Sequence, residues 1–255
     1  MSFDLQIGSD LLRTGDLLPL LAQYQLLPKL TQEMLIDRAI ADIPCTPEET
    51  ANAVAALCQQ NQWPSPLEAR TVLAKQGIPP EQLELLAVRN LKIERFKQEN
   101  FAKKLEAYFL QRKSGLDQVI YSIIRTRDVG IAQELYFRIE DNPEEFASLA
   151  EQYSQGPEAQ MGGRIGPQAL EMPAPALARL LAVSQPGQLW PPTRIGEWLV
   201  IVRLEQLIPA QLNPAMEQRL MGELFNQWLQ EQLKTVTLVP QMAPLIPRES
   251  PAPEG

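Results

Sequence analysis

The chain has 255 residues, is 45% apolar and 21% charged, and carries a formal net charge of −8, a profile that suits a globular protein of one large domain or two small ones. The negative balance argues against nonspecific nucleic-acid binding, because the one mildly basic run, Lys92 to Lys113, is interleaved with Glu94, Glu99 and Glu106 as on a solvated helix face. Histidine is absent altogether, which excludes His-based triads, imidazole acid–base catalysis and the common zinc sites.

From the N-terminus, Met1 to Asp10 holds Asp4 and Asp10 and no Lys or Arg, which reads against a signal peptide. No apolar run approaches the roughly 18 residues that span a bilayer. The richest stretch, Leu17 to Leu30, is broken by Pro19, Gln23, Gln25 and Pro28. The expectation is a soluble, cytoplasmic protein with no membrane insertion. Cys45 and Cys58 form no C-x-x-C pair and cannot fill a structural zinc site, so both are expected to be buried thiols. No cofactor and no metal is expected.

Residues 1 to 115 read as helical. Pro19 and Pro28 each suit a first helical turn, and Leu30, Met34, Leu35 and Ala39 share a face. Thr46-Pro47-Glu48-Glu49 is a capping box, and Ser65-Pro66-Leu67-Glu68 repeats the device. Gly77 suits a left-handed helix end. Pro79-Pro80-Glu81 then opens a long helix that Ser114-Gly115 ends. The two boxes do not recur at a fixed period, so no repeat array is expected.

Residues 116 to 207 alternate between strand and helix signals. A strand is expected at Val119–Arg125, a helix at Asp128–Glu140, and a helix at Asn142–Ser154 capped by Asn142 and opened by Pro143-Glu144-Glu145. A Gly-Gly loop (Met161–Gly166), a short helix (Ala174–Ala182), a Pro-Gly turn and a hairpin at Gly196 complete it. The continuous apolar run Leu199-Val200-Ile201-Val202 marks a strand covered on both faces. Residues 208–236 hold an amphipathic helix with Met216, Leu220, Leu224, Phe225 and Trp228 on one face, whose simplest partner is the N-terminal helical region. The tail, 237–255, has Pro at 240, 244, 247, 251 and 253 and is expected to be disordered.

Gly162-Gly163 after the helix "FASLAEQYS", followed by Gln185-Pro186-Gly187 and the Gly196 hairpin, resembles the parvulin family of peptidyl-prolyl isomerases over about 90 residues. The flanking helices resemble those of long bacterial chaperone-like members. The resemblance implies an α+β fold: a small antiparallel sheet flanked by helices, set in a mostly helical frame. It also implies an apolar pocket for a proline ring, here Ile165, Met172 and Leu177, with Trp198 as a candidate pocket floor. The partners it implies are polypeptide clients that contain proline.

The family's polar set is not matched. Ser122 stands at a family His position, Trp198 follows Gly196-Glu197 where a second His is usual, and Arg164 replaces an Asp in the Gly-Gly motif. After Tyr153-Ser154 the family carries Cys or Asp; here Gln155-Gly156-Pro157-Glu158 follows, with the Glu158 carboxylate about two residues out of register. Prolyl isomerisation breaks no covalent bond, and a groove that desolvates and twists the amide lowers the barrier without a nucleophile. Ser122 is the one weak catalytic candidate. Three readings follow: a prolyl isomerase with foldase activity, a noncatalytic peptide clamp on the same fold, and a structural adaptor. Acid–base hydrolysis is not competitive, since no His activates a serine and the paired carboxylates Glu48-Glu49 and Glu144-Glu145 sit in first helical turns. Client identity and oligomeric state are not encoded in these patterns.

Overall fold

The computed structural model describes residues 5–7 and 9–237. The proline-rich tail from Pro240 and the first four residues of the stretch weighed as a signal peptide lie outside the described residues. By contact density the chain divides into two compact units, Met1–Phe101 with Gly222–Gly255, and Ala102–Met221. No helix among the described residues is long and apolar enough to cross a membrane.

The first unit opens on a two-stranded antiparallel hairpin, β1 (Leu5–Ile7) and β2 (Asp10–Leu12), where the composition suggested helix throughout. The helices α1 (Thr14–Gln23), α2 (Leu27–Ile40), α3 (Pro47–Gln60) and α4 (Pro66–Lys75) follow, then a 3-10 turn Pro80–Gln82 and the long α5 (Leu83–Leu116). Pro28 sits in the first turn of α2 as expected. Pro19 instead lies inside α1, where its missing N–H leaves the carbonyl four residues earlier without its helical partner. The Thr46 capping box is complete: Thr46 Oγ1 accepts from the Glu49 amide at 3.2 Å, and Glu49 Oε2 accepts from the Thr46 amide at 2.8 Å. Ser65 supplies the forward half, accepting from the Glu68 amide at 3.3 Å. Gly77 takes the left-handed backbone, φ 76°, that ends α4.

Val54, Cys58, Ala69, Leu73, Leu83 and Ala87 form the core of this unit. Cys58 is buried there; Cys45 is only half-buried, with the Arg95 guanidinium 3.9 Å from its Sγ. Arg89 on α5 reaches Glu33 at 2.6 Å and Asp37 at 2.7 Å on α2. Phe96 on α5 packs on Trp228 (4.8 Å between ring centres) and edge-on to Phe225, both from the second half of α9 (Pro214–Thr235).

The second unit is built on a four-stranded antiparallel sheet in the order β4 (Arg164–Ala169), β3 (Gln118–Thr126), β6 (Trp198–Ile208), β5 (Leu189–Ile195). α6 (Val129–Asp141) and α7 (Phe146–Tyr153) cover one face, burying Ile124, Leu135, Ile139, Phe146, Leu149 and Ile201. α8 (Pro175–Val183) covers part of the other, where Val119, Tyr121, Ile123, Leu177, Leu181, Val200 and Val202 meet. The fold is α+β, as the element order implied. Asn142 caps a 3-10 turn, Pro143–Glu145, that leads into α7, so that helix begins four residues later than the sequence suggested.

Leu83 is fully buried in the first unit's core. Leu83→Ala is expected to destabilise it by about 2–5 kcal/mol, read as a lower urea midpoint. The hydrogen bond from Lys29, together with Arg89, holds the Glu33 carboxyl below its ordinary value of 4.5. A carboxyl depressed by folding stabilises above its unfolded pKa and loses that contribution as pH falls through the folded value. Glu33→Gln is therefore expected to flatten the acid side of the stability profile below about pH 4.5, measured by thermal unfolding across pH.

Candidate functional site

Strand β3 is central, and its side chains alternate between the two faces of the sheet. The register places Tyr121 opposite Ile165 and Leu204, Ile123 opposite Val202, and Arg125 opposite Val200. Paired residues share a face, so Tyr121, Ile123, Arg125, Ile165, Val200 and Val202 line the side that α8 partly covers. Trp198, two residues before Val200 on β6, joins them. Ser122 pairs with Arg203 and Arg164 on the opposite side.

Ser122 is 5% exposed and points to the face packed by α6 and α7, away from Ile165 and Trp198. This corrects the expectation that it could serve the pocket. β3 alternates without a break, with Val119, Tyr121 and Ile123 in one core, and the register shifts beside it fall in β6 and β4, so Tyr121 occupies the pocket-side position instead. Met172 is 70% exposed in the connection between β4 and α8. Its neighbour Glu171 bonds to Gly115 beyond the Gln118 end of β3, whereas Trp198 lies at the Thr126 end. At about 3.3 Å per residue those ends are roughly 26 Å apart, so one proline ring cannot touch both Met172 and Trp198. Leu177 is 5% exposed and belongs to the core rather than to an open wall. Trp198 is half-buried on the edge of that core with its register partner Ile195 beside it. Ile165, also half-buried, lies opposite Tyr121, roughly 20 Å along the strands from Trp198, so it does not share a ring-sized pocket with it. The Arg127 guanidinium lies 4.4 Å above the Trp198 ring.

The twin glycines close the Thr126 end. Gly162 (φ 59°) ends the 3-10 turn Pro157–Met161, and Gly163 (φ 79°) accepts from the Ile123 amide at 2.9 Å. A Cβ on Gly163 would lie 2.7 Å from the Ile123 carbonyl oxygen and 2.9 Å from the Ala150 methyl. Only glycine allows the loop to press so closely on β3. The same turn carries Glu158 inward. Its carboxylate is 5% exposed: Oε1 accepts from Ser154 Oγ at 2.8 Å and lies 3.3 Å from Arg125 Nε, while Oε2 has no hydrogen-bond partner. Gly156 makes room for it, because a Cβ there would sit 2.2 Å from Oε2. Ser154 Oγ also accepts from the Arg125 amide at 3.0 Å, and the Gln155 amide donates to the Arg125 carbonyl at 2.9 Å.

Glu158 thus reaches the site although its sequence position argued against it. The 3-10 turn takes up the two-residue offset. Tyr121 is buried on the same face, its hydroxyl accepting from Gln168 Nε2 at 3.1 Å. Burial pushes its phenol above the ordinary value of 10.0, while Arg125 and the Gln168 bond pull it down. No group of three metal-binding side chains occurs among the described residues.

Gly163→Ala and Gly187→Ala separate backbone strain from collision. Both positions have positive φ, but nothing lies within 4 Å of a Cβ on Gly187. Gly163→Ala is expected to cost about 2–4 kcal/mol and Gly187→Ala about 1–2 kcal/mol, compared by denaturant midpoint. Tyr121 stabilises as the neutral phenol, a contribution present below pH 10.0 and lost as pH rises through the raised folded value. Tyr121→Phe is expected to reduce that alkaline sensitivity, read by thermal unfolding.

Residues 124–206 match the family described as Rotamase: PPIC-type PPIASE domain. No curated protein matches the chain. Among solved structures it is similar to the peptidylprolyl isomerase PrsA of Bacillus cereus, at 18% identity over 93% of each chain with a TM-score of 0.49. It is also similar to the foldase protein PrsA of Streptococcus pneumoniae, at 14% identity over 93% of this chain and 95% of that one, TM-score 0.40. A PpiC-type peptidyl-prolyl cis-trans isomerase domain aligns over 39% of this chain and 99% of its own length, at 23% identity and a TM-score of 0.33. All three TM-scores fall below one half, so the assignment rests on the family match and on the observed order of strands and helices. The stretch 124–206, with its central β3, twin-glycine loop and closing hairpin, is a PPIC-type PPIase domain.

Proposed function

We propose that the chain is a peptidyl-prolyl cis-trans isomerase acting on X-Pro bonds of extended polypeptide clients, with foldase activity. The observation that carries this is a half-buried apolar strip, Ile195 and Trp198, on a sheet face approached by the twin-glycine loop within a PPIC-type domain. A proline ring seated there leaves water, and the amide carbonyl before it loses its hydrogen-bonded solvent. The barrier to rotation, roughly 18–20 kcal/mol, comes from amide conjugation. A groove that fits the twisted amide better than either planar form lowers that barrier, and no nucleophile is needed.

The absence of histidine favours a second reading, a clamp that binds the same peptides without turning them over. A protease-free measurement of cis-to-trans relaxation in X-Pro peptides, with the full chain at about micromolar concentration, separates the two. Acceleration over the blank is expected. In Trp198→Ala, kcat/KM is expected to fall by roughly tenfold, the loss of about 1.4 kcal/mol of apolar contact. Binding without acceleration leaves the clamp, and neither binding nor acceleration removes both readings.

A further inference from the structure

The apolar strip desolvates a peptide but offers the twisting amide no hydrogen-bond donor. Arg125 does. Its side chain is 30% exposed on the strip's face, opposite Val200 and diagonal to Trp198. Its Nε is engaged by Glu158, and its two terminal nitrogens have no partner among the described residues. Arginine and carboxylate frequently meet through a two-pronged fork. Here the carboxylate touches only the inner nitrogen and leaves its own Oε2 unsatisfied at 5% exposure. A buried carboxylate with a bare oxygen is an expensive arrangement. Ser154 and the close approach at Gly156 hold it there nonetheless. With its Nε toward Glu158 and its side chain 30% exposed, Arg125 keeps its terminal donors free of that carboxylate.

Rotation about an X-Pro bond breaks conjugation, and the lone pair localises on the prolyl nitrogen. A donor on the carbonyl oxygen reinforces conjugation and slows rotation. A donor on the nitrogen has little to bind in the planar amide and a full lone pair in the twisted one, so it selects the transition state. We propose that Arg125 is a catalytic residue whose terminal N–H donates to the prolyl nitrogen as the amide twists, and that Glu158 is the positioning residue that holds it. No proton is transferred and no covalent bond forms or breaks. Arginine keeps its proton throughout, which reconciles catalysis with a chain that has no imidazole. The role rests on the isomerase reading.

The test uses the full chain and the same relaxation assay on four proteins: wild type, Arg125→Lys, Glu158→Gln, and the double variant Arg125→Met with Glu158→Gln. The double variant removes both members of the pair and leaves no uncompensated buried charge, so it is expected to fold, as checked by near-UV circular dichroism. Arg125→Lys and the double variant are expected to lose roughly tenfold to hundredfold in kcat, with KM within about twofold of wild type. Glu158→Gln is expected to lose less, and also in kcat. Wild-type kcat/KM is expected to be flat from about pH 6 to about pH 9, since the chain has no His. A folded double variant with wild-type kcat would overturn the proposal, as would Arg125 variants that change KM alone. A wild type that gives no acceleration instead removes the isomerase reading, and this role with it.

Discussion

The second unit is organised by one strand. β3 is paired on both edges, with β4 on one side and β6 on the other, and its two-residue period sorts side chains between two cores. Ile124 goes under α6 and α7, while Val119, Tyr121 and Ile123 go under α8. A one-residue slip would exchange the sets and bury Arg125 beneath α7. The register shifts beside β3 are taken up in β6 and β4, and β3 itself keeps an unbroken alternation. That alternation puts Tyr121 and Arg125, rather than Ser122, on the face of Trp198.

The twin-glycine loop depends on that strand. Gly163 accepts a β3 amide at a distance that no Cβ allows, and its own amide is bonded to the Glu158 carbonyl at 2.9 Å. The loop, the 3-10 turn and the buried carboxylate form one continuous piece of backbone laced to Ile123 and Arg125. Burying a carboxylate is tolerable here because a serine and a guanidinium share its Oε1. This end of the sheet combines half-buried apolar surface with a fixed cation. The opposite end, where Met172 lies, is tied instead by the ion pairs of Arg112 and Arg219 to Glu171.

Chemistry without histidine constrains what such a site can do. Proton shuttling near neutral pH is closed to it, and the buried Tyr121 phenol, pushed upward by desolvation, does not titrate in that range. Desolvation and permanent donors are what remain. Both suit a reaction that rotates a bond without breaking one.

Local signals in the sequence determined a good deal: the absence of imidazole chemistry, the capped start of α3, the Asn142-capped turn ahead of α7, the left-handed glycines and the order of strands and helices. These depend on residues within a few positions of one another, and a reader of one chain can see them. Which face of the sheet forms the site was decided only by tertiary structure, because the packing of α6, α7 and α8 assigns the two sides, and a 3-10 turn in a loop shifts the count. So Glu158 came into the site and Ser122 left it. Met172 and Trp198, grouped by family position, were separated along the length of a strand, and Leu177 sank into the core. The hairpin before α1 was missed for a similar reason: three-residue strands are too short to show a period, and only their pairing makes them strands.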